Sequence, residues 1–361
     1  MIAEFQKEWE KKISDFDNAK VRCGLIGPSG SGKSSLINAI TGEKIARVGS
    51  VETTSDPQDY IHKGITFTDL PGCGTQKHPK DTYIESLGLL SYDCFLLITA
   101  HRFFEIDTFL FRELSSRGKP CFVIRNMFDR AVEDELLENN LSESETRNLI
   151  KKDILKHLEP SVPQNIYLTS ARHAGKYDLK ILLDDIIESL EGIKKQRFIA
   201  DMAAYSEDAL KKKREVAEEL LPYFAGLSAA NGFNPIAGVD IVADISILIG
   251  LGKRVAEIYG LTSEHMEYIK RMLGPDTVAV ILAKVAQFTA RYLAKDGIIS
   301  LLKKIGTRTI IKQGSKWAPI GGQLIAAGIG WQSTYMLGEQ LIEEANSLAR
   351  DILNEILNKK T

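Results

Sequence analysis

The stretch Gly27-Pro28-Ser29-Gly30-Ser31-Gly32-Lys33-Ser34 stands between the apolar run VRCGLIG and the helix-favouring segment SSLINAITG. A glycine-rich turn between a strand and a helix constrains the fold more than any other feature of the chain. That order of elements belongs to a parallel sheet, whose strands need crossover connections. Further short apolar runs follow: GITFTDL, CFLLITA, PCFVIRN and NIYLTS, in alternation with helical segments. Their nearly continuous apolar character fits strands covered on both faces. The expected fold is α/β, with a mainly parallel sheet and helices on both faces, over residues 20–191.

After Leu190 the alternation ends. Residues 193–224 read as one long helix-favouring stretch, ended by Pro222 and the Gly226 region. Apolar helices continue to Thr361, broken by NGFNP (231–235), Gly260, GPD (274–276) and APIGG (318–322). Residues 1–19 form a charged helix with Phe5, Trp9, Ile13 and Phe16 on one stripe. An all-helical domain is therefore expected from residues 1–19 together with 192–361.

A net charge of −2 gives no bulk field toward nucleic acid, so no nucleic-acid partner is expected. Cys23, Cys94 and Cys121 lie in apolar, strand-like runs, and none of the four cysteines has metal-ligand spacing, so reduced core thiols are expected. The opening MIAEFQKEWEKK has no apolar signal core and no glycine at position 2, which predicts a cytoplasmic protein. The longest apolar stretch, IAGVDIVADISILIGLG (236–252), is short and carries Asp240 and Asp244 on one helical face. It reads as a buried helix packing through small residues, with peripheral membrane contact as the alternative.

The chemistry sits in the α/β region. The loop Gly27, Pro28, Ser29, Gly30, Ser31, Gly32, Lys33 and Ser34, with Ser35 after it, matches GxxxxGK[ST] in the context that motif requires. Its backbone amides form an anion nest, Lys33 supplies a charge for the β- and γ-phosphates, and the Ser34 hydroxyl suits Mg²⁺. Asp69 ends the next strand in TFTDLPG, placed for the metal, and the Gly72 amide is placed for a γ-phosphate. Between them, GSVETTSDPQDY (49–60) reads as a switch loop in which Thr53 or Thr54 closes over metal and phosphate, Thr54 being preferred. In VIRNMFD, Asp129 is placed to accept two hydrogen bonds from guanine, Asn126 to bridge loops and Met127 to cover the base where a lysine is usual. Ser170 and Ala171, in TSA, fit the last nucleotide loop. A Ras-type glutamine after Asp-x-x-Gly is absent, since Cys73 stands there; Glu52, Asp56 or a partner molecule must orient the attacking water.

Taken together, these residues resemble the immunity-related GTPases, the interferon-inducible group of large, dynamin-like GTPases. GPSGSGKSSLINAITG, VETT and DLPGCGT are similar to that family's phosphate loop and two switches. HRFFEIDTFLFREL (101–114), GKPCFVIRNMFD, KYDLKILLDDIIESL (176–190) and the tail segments NPIAGVDIVADISIL and APIGGQLIAAGIGWQSTYMLGEQL extend the likeness over nearly the whole chain. The resemblance implies a GTP- and Mg²⁺-dependent enzyme that dimerises through its G domains and associates with intracellular membranes. The chain departs from the family at Met127, at the N-terminal acylation signal and at TSA, where many members have Ser-Asn. Met127 and the missing glutamine leave open a nucleotide-binding scaffold with little turnover.

Overall fold

The structure, a computed structural model, describes residues 2–47, 56–101, 103–158, 165–231, 239–273, 275–312 and 322–358. The chain divides into two compact units, residues 19–206 and residues 1–18 with 207–359.

The α/β unit contains β1 (Val21–Ile26), α2 (Lys33–Thr41), β2 (Gln58–His62), β3 (Ile65–Asp69), the single-turn α3 (Tyr83–Ser86) and β4 (Cys94–Thr99). It continues through α4 (Glu105–Ser116), β5 (Cys121–Arg125), α5 (Phe128–Asn139), α6 (Glu143–Leu155), β6 (Ile166–Leu168), α7 (Leu179–Ser189) and α8 (Gly192–Asp201). The strands order as β2-β3-β1-β4-β5-β6. β1 runs parallel to β3 and β4, β4 to β5, and β5 to β6, while β2 is antiparallel to β3. All six residues of β4 are buried, as expected of a strand covered on both faces. The mainly parallel sheet expected from the apolar runs is thus present, and its parallel strands deliver their carboxyl ends to one edge. β1 lies between β3 and β4, so the connections leave it in opposite directions and open a crevice at that edge.

Two local expectations change. Residues 49–60 read as polar loop, yet Gln58–His62 form the edge strand β2, in which only His62 is buried. The strand forms because its cross-strand partner completes it: Thr68 Oγ1 donates to Asp59 Oδ1 at 2.6 Å. The long helix expected over 193–224 is two helices, α8 and α9 (Glu207–Asn231), and Pro222 lies inside α9 rather than ending it. Between them the chain docks on the end of α2, where Ala203 N–H donates to Ile40 O at 2.8 Å and the Tyr205 hydroxyl to Ala39 O at 2.5 Å. α8 is also tied to the sheet, since Asp201 Oδ2 accepts both from Gly64 N–H and from Arg197 Nε at 2.7 Å. The boundary expected at 191/192 therefore falls short of the observed one, after Ser206.

The helical unit joins α1 (Ile2–Asn18) to α9, α10 (Val239–Ile258), α11 (Ser263–Met272), α12 (Pro275–Tyr292), α13 (Lys295–Lys312) and α14 (Gly322–Asn358). α9 packs against α1, α10 and α14. The stripe on α1 is used unevenly: Phe16 is buried, whereas Phe5 is exposed and stacks on Trp9. Trp9 lies so close to α9 that a Cβ at Gly226 would sit 2.6 Å from its ring. Arg254 of α10 pairs with Asp17 and covers the Phe16 ring at 5.6 Å. In α10, Ile245, Leu248, Leu251 and Val255 are buried, while the side chains of Asp240 and Asp244 lie outside the described residues. Among the described residues no single helix is long and apolar enough to cross a membrane.

Candidate nucleotide site

The carboxyl ends of β1, β3, β4, β5 and β6 lead into the stretches singled out in the sequence. After β1 the chain turns through Gly27 (φ 153°), Gly30 (φ 80°) and Gly32 (φ 84°), backbone that side-chain-bearing residues rarely adopt. Gly32 is required twice over: a Cβ there would lie 2.4 Å from Asn126 Nδ2 and 3.2 Å from Met127 Cε. As the N-cap of α2 it brings no side-chain cap, so the first amides of the helix remain available to an anion. Around Gly30 the space is open. Ser31 Oγ is buried and has no hydrogen-bond partner among the described residues.

Lys33 folds back over this loop. Its Nζ donates to Gly27 O at 2.7 Å and to Pro28 O at 3.1 Å, and stands 3.5 Å from Asp69 Oδ1. Asp69 reaches this position because β3 pairs with β1, with Leu70 N–H donating to Leu25 O at 3.0 Å. Beyond it the chain is anchored by the Tyr83 hydroxyl, which donates to Pro71 O at 2.5 Å. Gly72 is exposed. Burial pushes the Cys73 thiol up to about 11, which keeps it protonated and unreactive near neutral pH. Asp56 is exposed and accepts from Lys77 Nζ at 2.7 Å. Glu52, Thr53 and Thr54 lie outside the described residues.

The corner expected to read the base is built from two strand ends. Asn126 is buried; its Nδ2 donates to Ser31 O at 3.0 Å and to Gly32 O at 3.3 Å, and its Oδ1 accepts from Thr169 Oγ1 at 3.2 Å. It thus fastens the phosphate loop to the chain leaving β6. Met127 adopts left-handed backbone (φ 55°) as the N-cap of α5 and is half-buried against the phosphate loop. Asp129 follows in the first turn of α5, buried, and Phe128 N–H donates to Thr169 O at 2.9 Å. Ser170 is buried with its Oγ accepting from His173 N–H at 3.2 Å, and Ala171 is half-buried.

Lys33, Asp69, Asn126 and Met127 therefore meet around the loop Gly27–Gly32, and Asp129 and Ser170 join them through Phe128 and Thr169. Asp56 is drawn instead into a surface pair with Lys77. One contributor was not singled out by itself from the sequence: Thr169 is buried and joined to Asn126. Arg125, at the end of β5, is a charge inside an apolar strand; its carbonyl accepts from Thr169 N–H, and its Nε and Nη1 are buried without a hydrogen-bond partner among the described residues. Burial pulls Arg125 down to about 10. A cation directly before NMFD in such a run was the available signal.

Ser34 is half-buried in the first turn of α2, and Asp69 is held near the preceding Lys33; their hard oxygen donors suit Mg²⁺ bound partly through phosphate oxygens. No cluster of three or more His, Cys, Asp or Glu side chains able to hold a metal alone occurs among the described residues.

A family model described as interferon-inducible GTPase matches residues 2–356. Interferon-inducible GTPase 5 of Bos taurus is 24% identical over 349 residues, covering 92% of this chain and 74% of that protein. Interferon-inducible GTPase 1 of Mus musculus is 27% identical over 275 residues, covering 72% of this chain and 66% of that protein. Among solved structures, Toc33 from Arabidopsis thaliana in complex with Mg²⁺ and GMPPNP aligns with a TM-score of 0.32 at 16% identity, over 47% of this chain and 78% of that one. The family match runs from the first turn of α1 almost to the end of α14, and the chain belongs to the interferon-inducible GTPase family.

Proposed function

We propose that the chain binds GTP and GDP with Mg²⁺ at this sheet edge and hydrolyses GTP. The observation that carries the reading is Asn126, which ties the phosphate loop to the chain after β6 and so joins a phosphate nest to a base corner. In the mechanism, the amides of the loop and of the α2 N-terminus hold the β- and γ-phosphates. Lys33 exchanges its contacts to Gly27 O and Pro28 O for phosphate oxygens, and remains near Asp69. When bound, Mg²⁺ neutralises charge on the phosphates, and Ser34 and Asp69 would hold it, with Thr54 from the switch loop. The Gly72 amide meets the γ-phosphate. Asp129 accepts from the guanine ring N–H and amine, the Ala171 amide meets the guanine carbonyl, and Met127 covers the base. Glu52 or Asp56 orients the attacking water, Asp56 after leaving Lys77.

Nucleotide-dependent dimerisation through the G domain, a cytoplasmic location and peripheral contact with intracellular membranes belong to the same proposal. They rest on family membership. Lys33→Ala should abolish binding of GTP and GDP measured by titration with a fluorescent analogue; retained affinity would remove the phosphate-loop assignment. Specific GTPase activity should rise with protein concentration, and a flat dependence would remove self-activation.

A second reading, a nucleotide-binding scaffold with little turnover, is favoured by Cys73 standing where a water-orienting glutamine would be and by Met127 in place of the usual lysine. Single-turnover hydrolysis with excess protein separates the two, because bound GTP persisting for hours belongs to the scaffold alone.

A further inference from the structure

The two halves of the base corner come from different strands, and something must set the gap between them. Asp129 follows β5; Ser170 and Ala171 follow β6. A guanine spans from the carboxylate on one side to the backbone amide on the other, so a change of about 1 Å in that gap costs one of the two hydrogen bonds on the Asp129 side.

Helix α6 carries no nucleotide motif, yet one of its side chains touches a neighbour of each half. Arg147 Nη1 donates to Asp178 Oδ1 at 2.9 Å and to Oδ2 at 2.8 Å. Asp178 Oδ2 also accepts from Leu168 N–H at 3.0 Å, which fixes the end of β6 from which Thr169, Ser170 and Ala171 continue. On its other side the Arg147 guanidinium covers the Phe128 ring at 5.2 Å, directly before Asp129. Tyr177 meets the same ring edge-on at 5.0 Å, so Phe128 is held by both. The start of α6 is itself pinned here: Thr146 is fully buried and Glu143 pairs with Lys176 at 3.5 Å. The Asp178 side chain is 13% exposed and that of Arg147 27%, so water competes little for the carboxylate.

We infer that Arg147 is a positioning residue for base selection: by clamping Asp178 and the Phe128 ring together it sets the gap between the Asp129 carboxylate and the Ser170–Ala171 amides. The inference rests on the reading of this corner as the guanine site. Arg147 touches neither base nor phosphate; it acts through Asp178 and Phe128. Its effect must then appear in the choice between bases and not in turnover of bound GTP.

The test compares GDP with inosine diphosphate, which lacks the exocyclic amine, in the full chain and its variants. Arg147→Met keeps an apolar stem over Phe128 and removes the charged donor that Nη1 presents to both Asp178 oxygens. It should lower the ratio of GDP to inosine diphosphate affinity roughly tenfold, the loss of one charge-assisted bond, while single-turnover hydrolysis of bound GTP stays unchanged. Arg147→Lys, which restores one charged contact, should recover part of the ratio. An unchanged ratio in a folded Arg147→Met protein overturns the inference and leaves Arg147 a stability residue. If Arg147→Met does not fold, Arg147→Lys and Asp178→Asn carry the same comparison, and wild-type ratios in both overturn it. A wild-type protein that does not discriminate the two diphosphates would instead remove the assignment of Asp129 as base reader.

Discussion

Asn126→Ala is the substitution whose cost can be worked furthest from the geometry. The side chain is 1% exposed and makes three hydrogen bonds, two donated by Nδ2 to the carbonyls of Ser31 and Gly32 and one accepted by Oδ1 from Thr169. Truncation strips partners from the buried Ser31 and Thr169, and a buried polar group left without a partner costs about 1–3 kcal/mol. Loop rearrangement recovers part of this, so a total of about 2–4 kcal/mol follows. If most of it falls on the nucleotide-bound state, GDP affinity drops roughly 30- to 700-fold. The assay is displacement of a fluorescent GDP analogue, with thermal unfolding of the nucleotide-free protein alongside to separate fold from binding. Asn126→Ala protein that binds GDP within about twofold of wild type, with an unshifted melting temperature, refutes the reasoning, since the three bonds would then organise nothing.

Three further outcomes are expected. Asp129→Asn should move preference from GTP toward xanthosine triphosphate, because an amide donor complements the extra carbonyl where guanine has its amine; competition between the two triphosphates reads this directly. The Cys73 thiol, normally near 9.0 and raised to about 11 by burial, keeps its proton in the folded state while the unfolded chain loses it. Its contribution to stability is therefore complete below pH 9.0 and is lost as pH rises toward 11, a decline that Cys73→Ser should reduce in unfolding titrations. Gly226→Ala puts a methyl group 2.6 Å from the Trp9 ring and should cost about 1–3 kcal/mol of overpacking, seen as a lower melting temperature of the helical unit.

The site was legible to different depths at different residues. That Lys33 and Asp69 come together could be read from sequence because their positions depend on a local order of elements: a strand, a glycine turn and a helix start in one case, a strand end in the other. β2 was not legible, since only one of its five residues is buried and no alternation survives to mark it. The break between α8 and α9 was hidden for a related reason. Residues 202–206 leave the helix because their backbone and Tyr205 find partners on α2, and helix propensity carries no record of a distant carbonyl. Pro222 signalled a helix end, but it is accommodated within α9.

The sequence by itself determined that a glycine-rich loop opens a mainly parallel sheet and that, among the described residues, helices follow it; it also marked Asp129 as the proposed reader of a base. These are consequences of apolar periodicity and of glycine's backbone freedom, both of which are written locally. Only the tertiary structure decided that Asn126 holds a carbonyl ninety-five positions away, that Met127 rests against Gly32, and that Arg147 contacts both Asp178 and the Phe128 ring. The reason is physical: burial patterns state which face of an element is covered, whereas a hydrogen bond between elements depends on strand order and register, which the local pattern leaves open.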